Sequence, residues 1–326
     1  SVAEPMPVEW HIHCLGLLRS FFLKNLLFRH SAICLKIYDV GVVLIMSLKS
    51  LSTVFLAAAT LLGVQQANAG VNATLWGIYS NDVKFSPKTV ENAYLELEYY
   101  GQTGPIDWYG YFDAPKYFGG NDNIKGVWDK DGSKLFAENQ PKVSFNRLTG
   151  KDLSVGPFKD WFFATDWIVD AGGHSNNSQN TLYYGLGTSI DTHTKLGMNV
   201  NVFAKQQWEN YGAPNSYTSD DGGRLQVQFF YPLYSFNNGA SLNYFTFTNY
   251  DFGSKLGDKD PNRTNEALVS THVFSYNMKH LRLFTAARYF HNGGQFKDGA
   301  VANWGNGDFV QNSTGWGYYV AAGYQF

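Results

Sequence analysis

The last thirteen residues place a bulky or apolar side chain at each even position from Trp316 through Tyr318, Val320, Ala322 and Tyr324 to Phe326. Gly317, Tyr319, Ala321, Gly323 and Gln325 take the odd positions. A period of two sends alternate side chains to opposite faces, so the segment predicts a strand with one apolar and one small or polar face. From Trp316 to Phe326 such a strand rises about 33 Å at about 3.3 Å per residue. A tilt of about 40° reduces this to about 25 Å, the height of the apolar band of a transmembrane β-barrel, with an aromatic residue at each interface. An edge strand of a soluble sandwich alternates in the same way, so the rest of the chain must decide.

Segments of similar length and texture occur near 72–79, 92–100, 105–113, 140–148, 159–169, 180–190, 195–208, 223–233, 239–251, 265–277, 280–292 and 314–326. Their connections alternate in length. Gln102–Gly104, Asp191–Thr194, Tyr234–Gly239 and Asn277–His280 are turn-like, whereas 114–139, 209–222, 252–264 and 293–313 are long, polar and rich in Gly or Asn. Short periplasmic turns and long extracellular loops produce this pattern, with both termini of the barrel in the periplasm. The expected fold is therefore all-β: a transmembrane antiparallel up-and-down β-barrel of about 12 strands. The segment 149–158 breaks the rule, being long where a tight turn belongs, and its Leu153-Ser-Val155 reads as extra strand.

Upstream, Met46-Ser-Leu-Lys49 leads into an apolar run from Leu51 to Val64 and then Ala67-Asn-Ala69, the pattern of a cleaved secretory signal. The expected division is a signal peptide over 46–69 and a barrel over 70–326. Residues 1–45 are expected to be an upstream extension from a start site assigned too early. The alternative is a membrane-embedded extension built on Leu17–Leu27 and Val40–Ile45. Both cysteines, Cys14 and Cys34, fall in that extension, so neither disulfides nor thiolate metal sites are expected in the barrel. The whole chain carries a formal charge of −2, and setting residues 1–69 aside moves it to about −4. No basic stripe points to nucleic acid. Beyond Gly70 no apolar run approaches the length of a spanning helix, which leaves a barrel as the way to cross a membrane.

Alternation assigns faces. In Lys195–Glu209 the even set (Leu196, Met198, Val200, Val202, Ala204, Gln206, Trp208) faces lipid, and the odd set (Gly197, Asn199, Asn201, Phe203, Lys205, Gln207, Glu209) faces the lumen. The same test places Tyr94, Glu96, Glu98, Tyr109, Tyr111 and Asp113 inside. It adds Arg224, Gln226 and Gln228, then Asn243, Phe245, Phe247, Asn249 and Asp251, and finally Arg282, Phe284, Arg288 and Phe290. A water-filled wall needs polar groups but has no need of rings beside them. Rings interleaved with Glu, Asp, Asn, Lys and Arg suit a solute with one flat apolar part and one hydroxylated part; nucleosides fit, and so do aromatic sugars. The plainer reading is that a narrow barrel fills its interior with Phe.

Catalysis is not expected. No His-x-Ser of the kind used by outer-membrane phospholipases occurs, and His174, His193, His272, His280 and His291 are too scattered for a metal site. Glu96 and Glu98 more naturally set charge selectivity in a channel wall. No cofactor is expected.

Longer motifs then carry a resemblance. Tyr109-Gly-Tyr-Phe-Asp-Ala-Pro115 with Phe118-Gly-Gly-Asn121, Asp152-Leu-Ser with Gly156-Pro-Phe-Lys159, Tyr184-Gly-Leu-Gly187, Trp208-Glu-Asn-Tyr-Gly212, Ala287-Arg-Tyr289 with His291, and Ser313-Thr-Gly-Trp-Gly317 resemble the nucleoside-specific channel-forming (Tsx) family. The likeness runs from about Asn72 to Phe326. It implies a monomeric, twelve-stranded barrel surrounded by outer-membrane lipid. Nucleosides and deoxynucleosides diffuse through it, and bacteriophages and colicin K use it as a receptor. No short motif marks a binding site, so the candidate site is the lumen assignment itself: Tyr94, Glu96, Tyr111, Asp113, Phe203, Lys205, Phe245, Phe247, Arg288 and Phe290. Rings are expected to stack on the base and ionised groups to meet the ribose. The rival readings are a general or differently selective porin, and a plugged receptor that works through its loops alone.

Overall fold

The computed structural model describes residues 34–36, 43–45, 70–118, 132, 134–172, 178–212, 219–303, 305 and 307–326. The signal segment 46–69 lies outside the described residues. So does the 1–45 extension, apart from one antiparallel pair, Cys34–Lys36 with Val43–Ile45.

Downstream, alternation produces twelve strands: β1 (Val71–Val83), β2 (Val90–Thr103), β3 (Ile106–Ala114), β4 (Phe136–Asn139 continued by Lys142–Ser144), β5 (Phe158–Asp170), β6 (Gln179–Asp191), β7 (Gly197–Asn210), β8 (Ser219–Ser235), β9 (Ser241–Phe252), β10 (Ala267–Met278), β11 (Leu281–His291) and β12 (Gly315–Gln325). Each pairs antiparallel with the next, and β12 returns to β1 in a continuous register from Tyr318 opposite Asn81 to Gln325 opposite Thr74. The result is a closed up-and-down barrel, as the alternation predicts. Closure leaves no sheet edge, which is what lipid demands of a strand-built wall.

The face assignment follows the pleat. Along β12, Trp316, Tyr318, Val320, Tyr324 and Phe326 are exposed on the outside, while Tyr319 and Gln325 are buried within. On β7, Val202 and Trp208 point out, and Asn201, Phe203, Lys205 and Gln207 are each buried to within a few per cent. The turns at 104–105 and 279–280 share one end of the barrel with Gly70 and Phe326. There Gln102 N donates to Gly70 O at 2.8 Å, Gln325 N to His280 O at 2.8 Å and Phe326 N to Ala73 O at 3.1 Å. The strand ends that the long loops join lie at the other end, which by the usual asymmetry of such barrels faces outward.

The fourth strand departs from the expected 140–148. It occupies 136–144, is interrupted at Gln140-Pro141, and gives way to a short helix, α1 (Phe145–Thr149). Proline has no N–H to give a ladder, so the pairing breaks there; Pro141 O instead accepts from Thr165 N at 3.1 Å. Ser144 caps α1, its hydroxyl accepting from Arg147 N at 3.1 Å, and Gly150 ends it in the left-handed region. Arg147 then clamps Asp107 bidentately at 2.8 and 2.6 Å, fixing the helix under β3. The extra strand read at Leu153-Ser-Val155 is absent. Val155 makes a single bridge to Phe158, and Ser154 N turns back onto Asp152 Oδ1 at 2.9 Å. That backbone donor holds the Asp152 carboxyl below the usual carboxylate range.

Inside, two apolar clusters fill much of the section. One joins Trp76, Ile78, Val83, Val90, Tyr94, Ala286, Phe290 and Tyr319; the other joins Phe162, Ala164, Ile168, Tyr183 and Phe203. Gly187 lies beside the second. A Cβ there would press into Asn201 Oδ1 and the Phe162 ring. Both neighbours are buried, and Asn201 Nδ2 is held by Gln226 Oε1 at 2.8 Å, so little room can open. Gly187→Val is expected to lower barrel stability by about 1–3 kcal/mol through overpacking, measured as a shift in the urea midpoint of the refolded barrel. An unchanged midpoint would show that the second cluster is loosely packed.

Candidate functional site in the barrel lumen

Three neighbouring strands set Phe247, Thr271 and Arg288 in one inward row. Arg288 Nε donates to Thr271 Oγ1 at 2.8 Å. Its guanidinium lies 5.6 Å from the centre of the Phe247 ring and 4.9 Å from that of Tyr319. Phe245 continues the ring surface, its centroid 5.6 Å from that of Phe247. The acidic side of the same space comes from β2 to β4. Glu96 sits opposite Asp113 and Glu98 opposite Tyr111. Tyr111 donates its hydroxyl to Glu138, which also accepts from Gln140 Nε2 at 2.6 Å, and Trp76 Nε1 donates to Glu98 at 3.0 Å. Tyr111 stacks on Phe136 with centroids 6.1 Å apart. Arg288 acts electrostatically on Tyr94, Glu96, Tyr111 and Asp113, so cation and carboxylates face one compartment.

Among the described residues, therefore, the fold brings seven of the ten sequence-predicted positions into one neighbourhood: Tyr94, Glu96, Tyr111, Asp113, Phe245, Phe247 and Arg288. Of the other three, Phe290 borders this neighbourhood, sharing the first apolar cluster with Tyr94 and Tyr319, whereas Phe203 and Lys205 lie elsewhere. Phe290 is 1% exposed inside the first apolar cluster, and Phe203 is packed edge-on against Tyr183 in the second, at 6.4 Å. Lys205, also 1% exposed, is held by Asp221 Oδ2 at 3.3 Å and Gln295 Oε1 at 2.5 Å.

A second charged centre was not singled out by alternation. Arg224 NH1 meets Asp166 at 2.6 Å, its Nε meets Asp251 at 2.6 Å, and its NH2 donates to Tyr183 OH at 2.9 Å, with the guanidinium 3.7 Å over the Tyr183 ring. All four are buried or nearly so. Asp166 was legible in principle: Phe163 and Trp167 are its exposed outward neighbours on β5, which fixes Asp166 inside. Glu138 follows from the same alternation once β4 is placed correctly. Gln295 and Arg263 come from loops, where no period marks them.

Among the described residues, no group of three or more His, Cys, Asp or Glu is arranged to hold a metal ion.

The lumen, its aromatic and ionised lining and the lipid-facing wall define a porin-like β-barrel channel of the outer membrane. The chain belongs to the family whose model is described as "Nucleoside-specific channel-forming protein, Tsx", which matches residues 74–326. The nucleoside-specific channel-forming protein Tsx of Salmonella typhimurium is 49% identical over 248 residues, covering 76% of this chain and 85% of that protein. The outer membrane protein OmpK of Vibrio parahaemolyticus is 30% identical over 295 residues, covering 85% of this chain and 99% of that protein. Among solved structures, the NanC porin aligns with a TM-score of 0.44 at 10% identity, over 77% of this chain and 98% of that one.

The Arg224 centre gives a direct test of how the lumen is held. Arg224→Met leaves two buried carboxylates without their cation, and is expected to cost about 3–5 kcal/mol. The triple variant Arg224→Met, Asp166→Asn, Asp251→Asn should recover most of that loss in the same urea titration. A small loss in the single variant would mean that water reaches the centre.

Proposed function

We propose that this chain is an outer-membrane channel for facilitated diffusion of nucleosides and deoxynucleosides, working as a single barrel of Gly70–Phe326 after removal of 46–69. The observation that carries the reading is the Arg288 compartment. A guanidinium flanked by Phe247 and Tyr319 lies within electrostatic reach of Glu96, Asp113 and Tyr111, and Phe245 continues the ring surface beside it in the lumen. Such a space matches a base on one side and a hydroxylated ring on the other.

Flux requires the binding to be weak. Stacking on one ring contributes on the order of 1–3 kcal/mol per base in nucleic-acid systems, and each ribose hydroxyl exchanges water for a protein partner at a net gain of about 0.5–1.5 kcal/mol. Contributions of that size, less the entropy of capture, give shallow sites from which a solute leaves readily. Tyr94, Glu96, Tyr111 and Asp113 take the polar side of this reading, and Phe245, Phe247 and Arg288 the stacking side. Phe203, Lys205 and Phe290 shape the walls around it. The reading gives the protein no catalytic role. Use of the loops by bacteriophages and colicin K remains an implication of the family resemblance.

Phe245→Ala combined with Phe247→Ala should reduce nucleoside flux while leaving small-ion conductance at or above that of the wild type. The check is planar-bilayer recording of refolded Gly70–Phe326 with adenosine or thymidine titrated into the bath. Saturable current block by nucleosides but not by ribose or glucose, weakened in the double variant, supports selective permeation. A current indifferent to nucleosides leaves a general porin.

A further inference from the structure

The turn after β11 does not stay over its own strands. At Asn292–Phe296 it crosses the outer mouth. On one side Gly293 and Gly294 run against the backbone carbonyls of Lys84 and Phe85, which follow β1, so closely that no Cβ would fit; Gly294 also holds φ at +63°. On the other side the Gln295 side chain reaches β7 and accepts from Lys205 Nζ at 2.5 Å. In a ring of twelve strands β1 and β7 lie six apart, on opposite walls. One five-residue turn thus links the connection after β1 to a side chain from the opposite wall.

Its hold is dense. Gln295 is a non-glycine residue at φ +62° and only 3% exposed. Its carbonyl accepts from Arg263 Nε at 3.0 Å and from Thr264 N at 3.0 Å, and its amide donates to Thr264 O at 3.2 Å. Arg263, from the β9–β10 loop, also donates to Gly294 O at 3.0 Å and to Asn210 Oδ1 at 2.8 Å, with its guanidinium 4.1 Å over the Phe296 ring. Burial draws Arg263 down to about 10, which still leaves it charged at neutral pH. Beneath it, Asp221 gathers Lys205 Nζ and Gln207 Nε2, each at 3.3 Å, with Ser254 Oγ at 2.8 Å and Lys255 N at 2.9 Å. A left-handed non-glycine residue is a local cost that persists only where the surroundings fix it.

We propose that residues 292–296 form a fixed strap across the outer mouth that sets the upper size of permeating solutes, with Gln295 and Lys205 as its latch. The strap is a geometric filter. It is independent of the rings deeper in the lumen and acts on any uncharged solute wider than the gaps at its sides. The inference rests on the chain being an open channel, the part of the proposed function that a general porin would share, and not on selectivity for nucleosides.

Two variants break the latch from opposite sides. Gln295→Gly keeps the left-handed turn and removes the amide. Lys205→Met changes only a wall side chain and leaves Asp221 three other donors. Both barrels, with assembly confirmed by heat-modifiable gel migration, would be placed in liposomes and their swelling followed in glucose, sucrose and raffinose. The wild type is expected to admit glucose and to exclude raffinose. In both variants the raffinose-to-glucose rate ratio should rise, on the order of tenfold, as the mouth widens. An unchanged ratio in either assembled variant overturns the latch, and free entry of raffinose into the wild type overturns the filter. Failure of nucleosides to block the wild-type current would count against selective permeation alone and would leave the sugar series as it stands.

Discussion

Lipid offers no partner to a backbone N–H or C=O, and the wall of this protein is organised by that single fact. Every strand must be paired on both sides, so the sheet must close. The closing seam joins the last strand to the first, from Tyr318 opposite Asn81 to Gln325 opposite Thr74. Once the ring is closed each position has its face dictated by parity. A one-residue slip at the seam would turn Tyr318 and Val320 inward and bring Tyr319 and Gln325 into lipid. The apolar outer face and the polar inner face are therefore two consequences of one register.

Closure creates a second problem, that of charges inside a narrow ring. The two central arginines meet it differently. Arg224 is ion-paired with Asp166 and Asp251 and covered by Tyr183. It is a finished structural centre, and removing one member exposes the others to a dehydrated interior. Arg288 makes one hydrogen bond to a hydroxyl, lies against two rings and has the carboxylates of Glu96 and Asp113 within electrostatic reach without an ion pair to either. Ring contacts with a cation contribute about 0.5–2 kcal/mol, far less than a buried carboxylate pair costs to break, so a solute can compete for this guanidinium and not for the other.

The wall was legible because its signal is a period. Strand number, the short turns at 104–105 and 279–280, and the faces of β2, β7, β9, β11 and β12 all follow from alternation. Legibility failed where a local device overrides the period. Pro141 broke the fourth strand, and the Ser144 and Gly150 caps turned the expected continuation into α1. Alternation also says inside or outside without saying filled or open. Phe290 and Phe247 are both inward, yet one is packed into an apolar cluster and the other borders the Arg288 compartment. That distinction depends on the opposite wall, which no single segment encodes.

The outer mouth was illegible for a further reason. Gln295, Arg263 and Asp221 sit in or beside loops with no repeating pattern, and each is set by long-range partners: Gln295 bonds to Lys205 across 90 residues and Arg263 to Asn210 across 53. Their role depends on where the closed ring places those partners. A wall residue can change with little effect if its polarity suits its face, whereas a mouth residue must match particular atoms across the barrel. Tyr211, just past the end of β7, is a case in point. Its hydroxyl is committed to Asp170 at 2.8 Å, and burial together with that carboxylate pushes the phenol well above its ordinary range. It therefore stays a neutral donor at any pH the outer surface meets. A rigid mouth above a lumen of weak contacts divides the labour physically. On the reading proposed above, size is decided by fixed hydrogen bonds that do not exchange with the solute, and chemical preference by ring and hydroxyl contacts that do. A solute that passes the first can be retained by the second only briefly, the condition under which a site improves flux instead of stopping it.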